Sequence, residues 1–99
     1  MKKFIDENID KNLSVKILSA QTGYNEKYFI DVFKKSFGAT PAQYVKTLRL
    51  EKAKHELLYT DSKTSMIASK IGYSSIQKLS KDFKACTGFS PTEFRKRFK

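Results

Sequence analysis

An internal repeat constrains this chain more than any other feature of its sequence. Gly23-Tyr24 returns as Gly72-Tyr73, and Phe33-Lys34 returns as Phe83-Lys84. The run Gly38-Ala39-Thr40-Pro41-Ala42-Gln43-Tyr44 then lines up with Gly88-Phe89-Ser90-Pro91-Thr92-Glu93-Phe94. The offset rises from 49 to 50 residues between the first two matches, which predicts one residue gained or lost inside the intervening helix. Glycine tolerates left-handed backbone and proline favours a first helical turn, so shared punctuation of this kind marks a duplicated supersecondary unit.

Each unit reads as a short helix, a tight turn, a longer helix, a turn and a further helix. In the first, Ser14 is a candidate N-cap for a helix running to about Thr22, Gly23 ends it, and Asn25 can cap the next. That second helix is amphipathic: Phe29, Val32, Phe33 and Phe37 share a core face, while Lys27, Ile30, Asp31 and Lys34 are expected to be exposed. In the second unit Thr64 or Ser65 opens the short helix, Gly72 ends it, and Ser74 or Ser75 caps a helix whose Leu79, Phe83 and Cys86 point inward. Gln77, Lys78, Lys81 and Lys84 then face outward.

Between the units, Pro41 to about Tyr59 has no interior Gly or Pro and is rich in Leu, Lys, Ala and Glu, which predicts one long helix. Tyr44, Val45 and Leu48 fall on one side of it, and Leu50, Ala53 and Leu57 on roughly the opposite side. Such a helix packs its first half on one lobe and its second half on the other, holding the two in fixed orientation. With an opening helix around Phe4, Ile5 and Ile9, the expected fold is all-α, about seven helices in one domain over residues 1–99. Residues 1–40 form a first lobe, 41–60 a linker helix and 61–99 a second lobe.

A chain of 99 residues with a formal charge of +10 favours polyanionic partners, nucleic acid first. No apolar run approaches the length of a spanning helix, and Asp6, Glu7 and Asp10 follow the opening residues at once, which is unlike a signal peptide; a cytoplasmic location and no membrane partner are expected. Cys86 and His55 are the only residues of their kinds, so neither an intrachain disulfide nor an ordinary zinc site can be built. Cys86 is expected in the core and His55 on the exposed side of the long helix. No phosphate loop and no catalytic constellation is present, so no cofactor, no metal and no catalytic residue is assigned.

A short helix, a glycine turn and a second helix with polar outward residues form a helix-turn-helix pattern, whose second helix enters the DNA major groove. Two copies give two readers, about one DNA turn (~34 Å) apart, in a single chain. The alternative, a basic helical module for RNA or protein, calls for exposed stacking aromatics, whereas the phenylalanines here lie at core spacing.

The chain resembles the AraC/XylS family of bacterial transcription regulators over nearly its whole length. The resemblance rests on Gly23-Tyr24, Phe33-Lys34-Lys35 and Gly38; on Arg49-Leu50-Glu51-Lys52-Ala53; on Ile67-Ala68 and Ile71-Gly72-Tyr73-Ser74; and on Phe83-Lys84, Gly88, Ser90-Pro91 and Glu93-Phe94-Arg95. It implies sequence-specific binding of double-stranded DNA by two helix-turn-helix lobes. Such a domain is usually the C-terminal part of a longer regulator, whose sensor domain is not among these residues, with RNA polymerase as a further partner. By position, it places Lys27, Ile30 and Asp31 of the first reader and Ile76, Gln77, Lys78 and Lys81 of the second at the groove. Lys34, Ser75 and Lys84 complete the expected contact set. The chain departs from the family pattern at Ile30 and Asp31, where polar or basic readers are common, at Lys78-Leu79, usually an aromatic pair, and at Ser19, usually Ala.

Overall fold

The computed structural model describes all 99 residues, Met1–Lys99. It contains seven helices and no strand: α1 (Lys2–Glu7), α2 (Val15–Ala20), α3 (Glu26–Phe37), α4 (Pro41–Tyr59), α5 (Thr64–Lys70), α6 (Ile76–Thr87) and α7 (Pro91–Phe98). They divide into two compact units, Met1–Leu48 and Arg49–Lys99, with the boundary inside α4.

Five of the seven helix starts, those of α2, α3, α4, α6 and α7, carry a side-chain cap, and α1 and α5 do not. Ser14 accepts from the Ile17 amide, Asn25 from Tyr28 and Ser75 from Lys78, each filling one of the amide donors that a helix leaves without a partner. Ser90 and Glu93 form a reciprocal capping box ahead of Pro91. Thr40 and Gln43 make the same exchange ahead of Pro41, so the repeat extends to hydrogen bonds as well as letters. Gly38 and Gly88 close α3 and α6 with left-handed φ of 75° and 84°, a conformation that a Cβ would strain.

The caps relocate the residue that separates the two repeats. Gly23 and Gly72 are 49 apart, but the caps Asn25 and Ser75 are already 50 apart, and α3 and α6 are both 12 residues long. The extra residue therefore lies in the second turn, as Ser74, and not inside the helix. With it, the Tyr73 amide reaches back to the Ala68 carbonyl at 2.8 Å, whereas the Tyr24 amide is held by the Thr22 hydroxyl at 3.2 Å.

In the first unit Ile5, Ile9, Leu13, Leu18, Phe29, Phe33 and Val45 are buried together, with Phe4, Tyr44 and Leu48 packed against them. In the second, Leu50, Ala53, Leu57, Ile67, Ala68, Ile71, Leu79 and Phe83 form the core, flanked by Tyr73 and Phe94. The two apolar sides of α4 thus serve different cores. Four expected placements differ. Phe37 is 36% exposed, stacked on Phe33, and Cys86 is exposed rather than buried. Both occupy the last turn of their helix. At about 100° per residue Cys86 points within about 20° of Leu79, but it lies beyond the end of the core along the helix axis. Val32 and Ile30 are half-buried, because each sits on a flank of α3 rather than at the centre of a face.

The second unit also buries a carboxylate. Glu56 Oε1 is bonded to Lys70 Nζ, and that bond holds the carboxyl below the usual carboxylate range against the opposing effect of burial. A depressed folded value contributes stability that is present above the ordinary carboxylate pKa and lost as pH falls through the lowered one. Glu56→Gln is expected to flatten that acid limb. Urea unfolding of parent and variant between neutral pH and about pH 2 checks it, and parallel pH profiles would sink the assignment.

Candidate nucleic-acid interface

Each unit presents one polar helical face, on α3 and on α6. Matched from their caps, the two helices pair residue by residue: Glu26 with Ile76, Lys27 with Gln77, Tyr28 with Lys78, Ile30 with Ser80, Asp31 with Lys81 and Lys34 with Lys84. Burial follows the same register. Phe29 and Leu79 are buried, as are Phe33 and Phe83; Ile30 and Ser80 are both half-buried; the other pairs named are exposed on both helices.

Of the residues expected at the interface, Lys27, Asp31 and Lys34 on α3 and Ile76, Gln77, Lys78, Lys81 and Lys84 on α6 stand on these exposed faces. Ile30 does not join them fully, since it leans toward the core flank. Ser75 is half-buried and its hydroxyl is engaged with the Lys78 amide at 3.1 Å, so its oxygen serves the helix start. Lys27 and Asp31 are one turn apart on α3 with no ion pair between them. One exposed group at the same surface escaped the sequence reading. Tyr28 is 53% exposed and packs edge to face with Tyr24, ring centroids 4.8 Å apart. Its signal was the cap: once Asn25 is matched to Ser75, Tyr28 falls opposite Lys78.

The two faces differ in charge. Met1–Leu48 holds eight Lys and Arg against five Asp and Glu, while Arg49–Lys99 holds twelve against five. On α6 the outward residues of the candidate interface are Ile76, Gln77 and three lysines, and the one carboxylate, Asp82, accepts a hydrogen bond from the Tyr73 hydroxyl at 2.9 Å. Burial and that carboxylate together raise the Tyr73 phenol far above its ordinary pKa, so it stays a neutral donor. On α3, Glu26 and Asp31 are interspersed among Lys27, Lys34 and Lys35. No group of acidic, histidine or cysteine side chains is arranged to hold a metal, and no helix is long and apolar enough to cross a membrane.

Comparison with known proteins agrees with this fold. The profile of the helix-turn-helix domain family matches residues 18–97. The HTH-type transcriptional regulator YisR of Bacillus subtilis is 33% identical over 94 residues; the match takes in 95% of this chain and 33% of that protein. The chain therefore spans about a third of the length of a curated relative it matches. Among solved structures, an AraC-type transcriptional regulator of Chromobacterium violaceum superposes with a TM-score of 0.84 at 25% identity, covering 96% of this chain and 85% of that one. The DNA-binding domain of the transcriptional factor AdpA, solved in complex with a target DNA, shares the fold with a TM-score of 0.93 at 24% identity, covering 97% and 86%.

Proposed function

Since this chain belongs to the AraC-type helix-turn-helix family of transcription regulators, whose members are not enzymes, we propose that it reads duplex DNA site-specifically with α3 and α6 in two successive major grooves. The observation that carries this reading is the cap-matched pair of 12-residue helices, each exposing its first-turn residues and a lysine-bearing face. The exposed face of a recognition helix, its N-terminal residues above all, meets base edges, and lysines on and beside that face also reach phosphates. That the same fold has been solved on a target DNA supports the choice of duplex over RNA. We further place the chain in the cytoplasm, as the DNA-reading end of a longer regulator that contacts RNA polymerase.

On α6, Gln77 can bond an adenine edge bidentately, Lys81 can donate to guanine, and Lys78 and Lys84 neutralise phosphates. On α3, Lys27 and Lys34 play the corresponding parts. Asp31, in the position of Lys81 and without an ion pair to Lys27, repels phosphate and so discourages binding to arbitrary sequence. Ile30, on its flank, and Ser75, at the cap, lie at the edge of the contact set.

Selection of bound duplexes from a random pool supplies the operator, and affinities at fixed salt then test the roles. Gln77→Ala is expected to relax preference at one base pair by roughly 1–3 kcal/mol. Lys81→Ala should weaken operator binding, and Asp31→Ala should tighten binding to random duplex while leaving base preference under α3 unchanged. Sedimentation of the complex should find one chain on a site of about 20 base pairs, the span of two helical turns. Selection that enriches no sequence overturns the proposal.

A further inference from the structure

We infer that Tyr28 is a specificity-determining residue of the first unit, its ring packing on the 5-methyl group of a thymine in the groove that α3 enters; the inference rests on the DNA-reading function proposed above. Three observations converge. Tyr28 occupies the third position of α3, within the first turn, where its amide is fixed by the Asn25 side chain at 2.9 Å. First-turn residues of a reading helix are the ones that reach base edges. It is 53% exposed, and its cap-matched counterpart is Lys78, which points outward on α6. Its ring packs edge to face on that of Tyr24, at an interplanar angle of 90°, so one flank of it is supported while the other stays open.

The second unit shows why this arrangement belongs to the first alone. There Tyr73, the counterpart of Tyr24, is turned toward the core and donates to Asp82, and a cation stands where Tyr28 would be. A lysine at that site favours phosphate whatever the sequence, whereas a held aromatic edge offers no charge and instead an apolar surface. The apolar feature unique to one base in the major groove is the thymine methyl. Tyr28, rather than Ile30, which leans toward the core, is then the apolar reader of α3.

The test replaces thymines of the selected operator one at a time by deoxyuridine, which removes the methyl and nothing else. The half-site is the one whose preference Lys27→Ala alters. The parent is expected to lose about fourfold in affinity at one thymine, the factor for one buried methyl-sized group. Tyr28→Phe keeps the ring and should keep that sensitivity. Tyr28→Ala should bind the operator roughly fivefold to tenfold more weakly and be indifferent to the same deoxyuridine, with helix content equal to the parent's by far-ultraviolet dichroism. A parent that binds the operator but ignores every deoxyuridine overturns this inference alone, as does a Tyr28→Ala variant that retains the sensitivity. A parent that binds no duplex overturns the function itself.

Discussion

Leu57→Ala is expected to remove roughly 2–5 kcal/mol from the stability of the second unit, the range for cutting a buried leucine back to a methyl group. Leu57 has no exposed surface and lies on α4 among Leu50, Ile67, Ile71, Leu79 and Phe83. Those partners are themselves buried, and α6, which carries Leu79 and Phe83, is fixed at both ends by the Ser75 cap and the Gly88 turn. They can collapse into the vacated volume only in part, which puts the cost toward the upper end. Domains of this size hold only about 5–15 kcal/mol in all, so the variant should be marginal at room temperature. Amide exchange resolved by residue is the measurement. Protection should fall across Arg49–Lys99, and unchanged protection in α5 and α6 would show that Leu57 is not part of their core.

The second large effect is expected at Arg95. A helix leaves its last four carbonyls without partners, and α4 ends at Tyr59. The Arg95 guanidinium, reaching from α7, donates to the carbonyls of Leu57 at 3.1 Å, Ser62 at 2.6 Å, Thr60 at 3.0 Å and Glu56 at 3.4 Å. One planar cation thus closes the end of α4 and the loop beyond it, and its charge suits the negative end of the helix dipole. Arg95→Ala is expected to cost about 2–4 kcal/mol, less than the sum of four charged hydrogen bonds because the site is partly open to water. Arg95→Lys should recover only a minor part, since an ammonium cannot present the same fork. Urea denaturation of the three proteins decides it: equal midpoints for Arg95→Lys and the parent would mean that charge alone suffices.

These two residues mark the limits of what the sequence disclosed. The burial of Leu57 was legible, because helical spacing alone separates Leu50, Ala53 and Leu57 from Tyr44, Val45 and Leu48. The capped starts at Ser14 and Asn25 and the glycine stops were legible too, since those side chains have few other reasons to recur where they do. The cap-and-carbonyl role of Arg95 was not. It joins residues up to 39 positions apart, and an arginine on a short terminal helix looks like any solvated charge. Cys86 and Phe37 misled for a different reason: a helical wheel reports direction around the axis but carries nothing about how far along it the core extends. Tyr28 was legible from the letters, since counting back from Phe33-Lys34 and Phe83-Lys84 sets it opposite Lys78, and the hydrogen bonds of the caps at Asn25 and Ser75 give the same register.

The unequal charge of the two units bears on how the chain would behave as the ionic medium changes. Each phosphate that a lysine neutralises sets free condensed cations, and affinity falls with salt by a logarithmic slope of about −0.9 per contact. With three lysines at the groove on α6 (Lys78, Lys81 and Lys84) against two on α3 (Lys27 and Lys34), where Asp31 and Glu26 stand among them, Arg49–Lys99 would account for the larger share of that slope. In dilute electrolyte the second unit would dominate capture and tolerate many sequences. As cations accumulate its grip would decay faster, and discrimination would pass increasingly to the mixed-charge surface of α3, so potassium concentration would tune selectivity without any dedicated sensor.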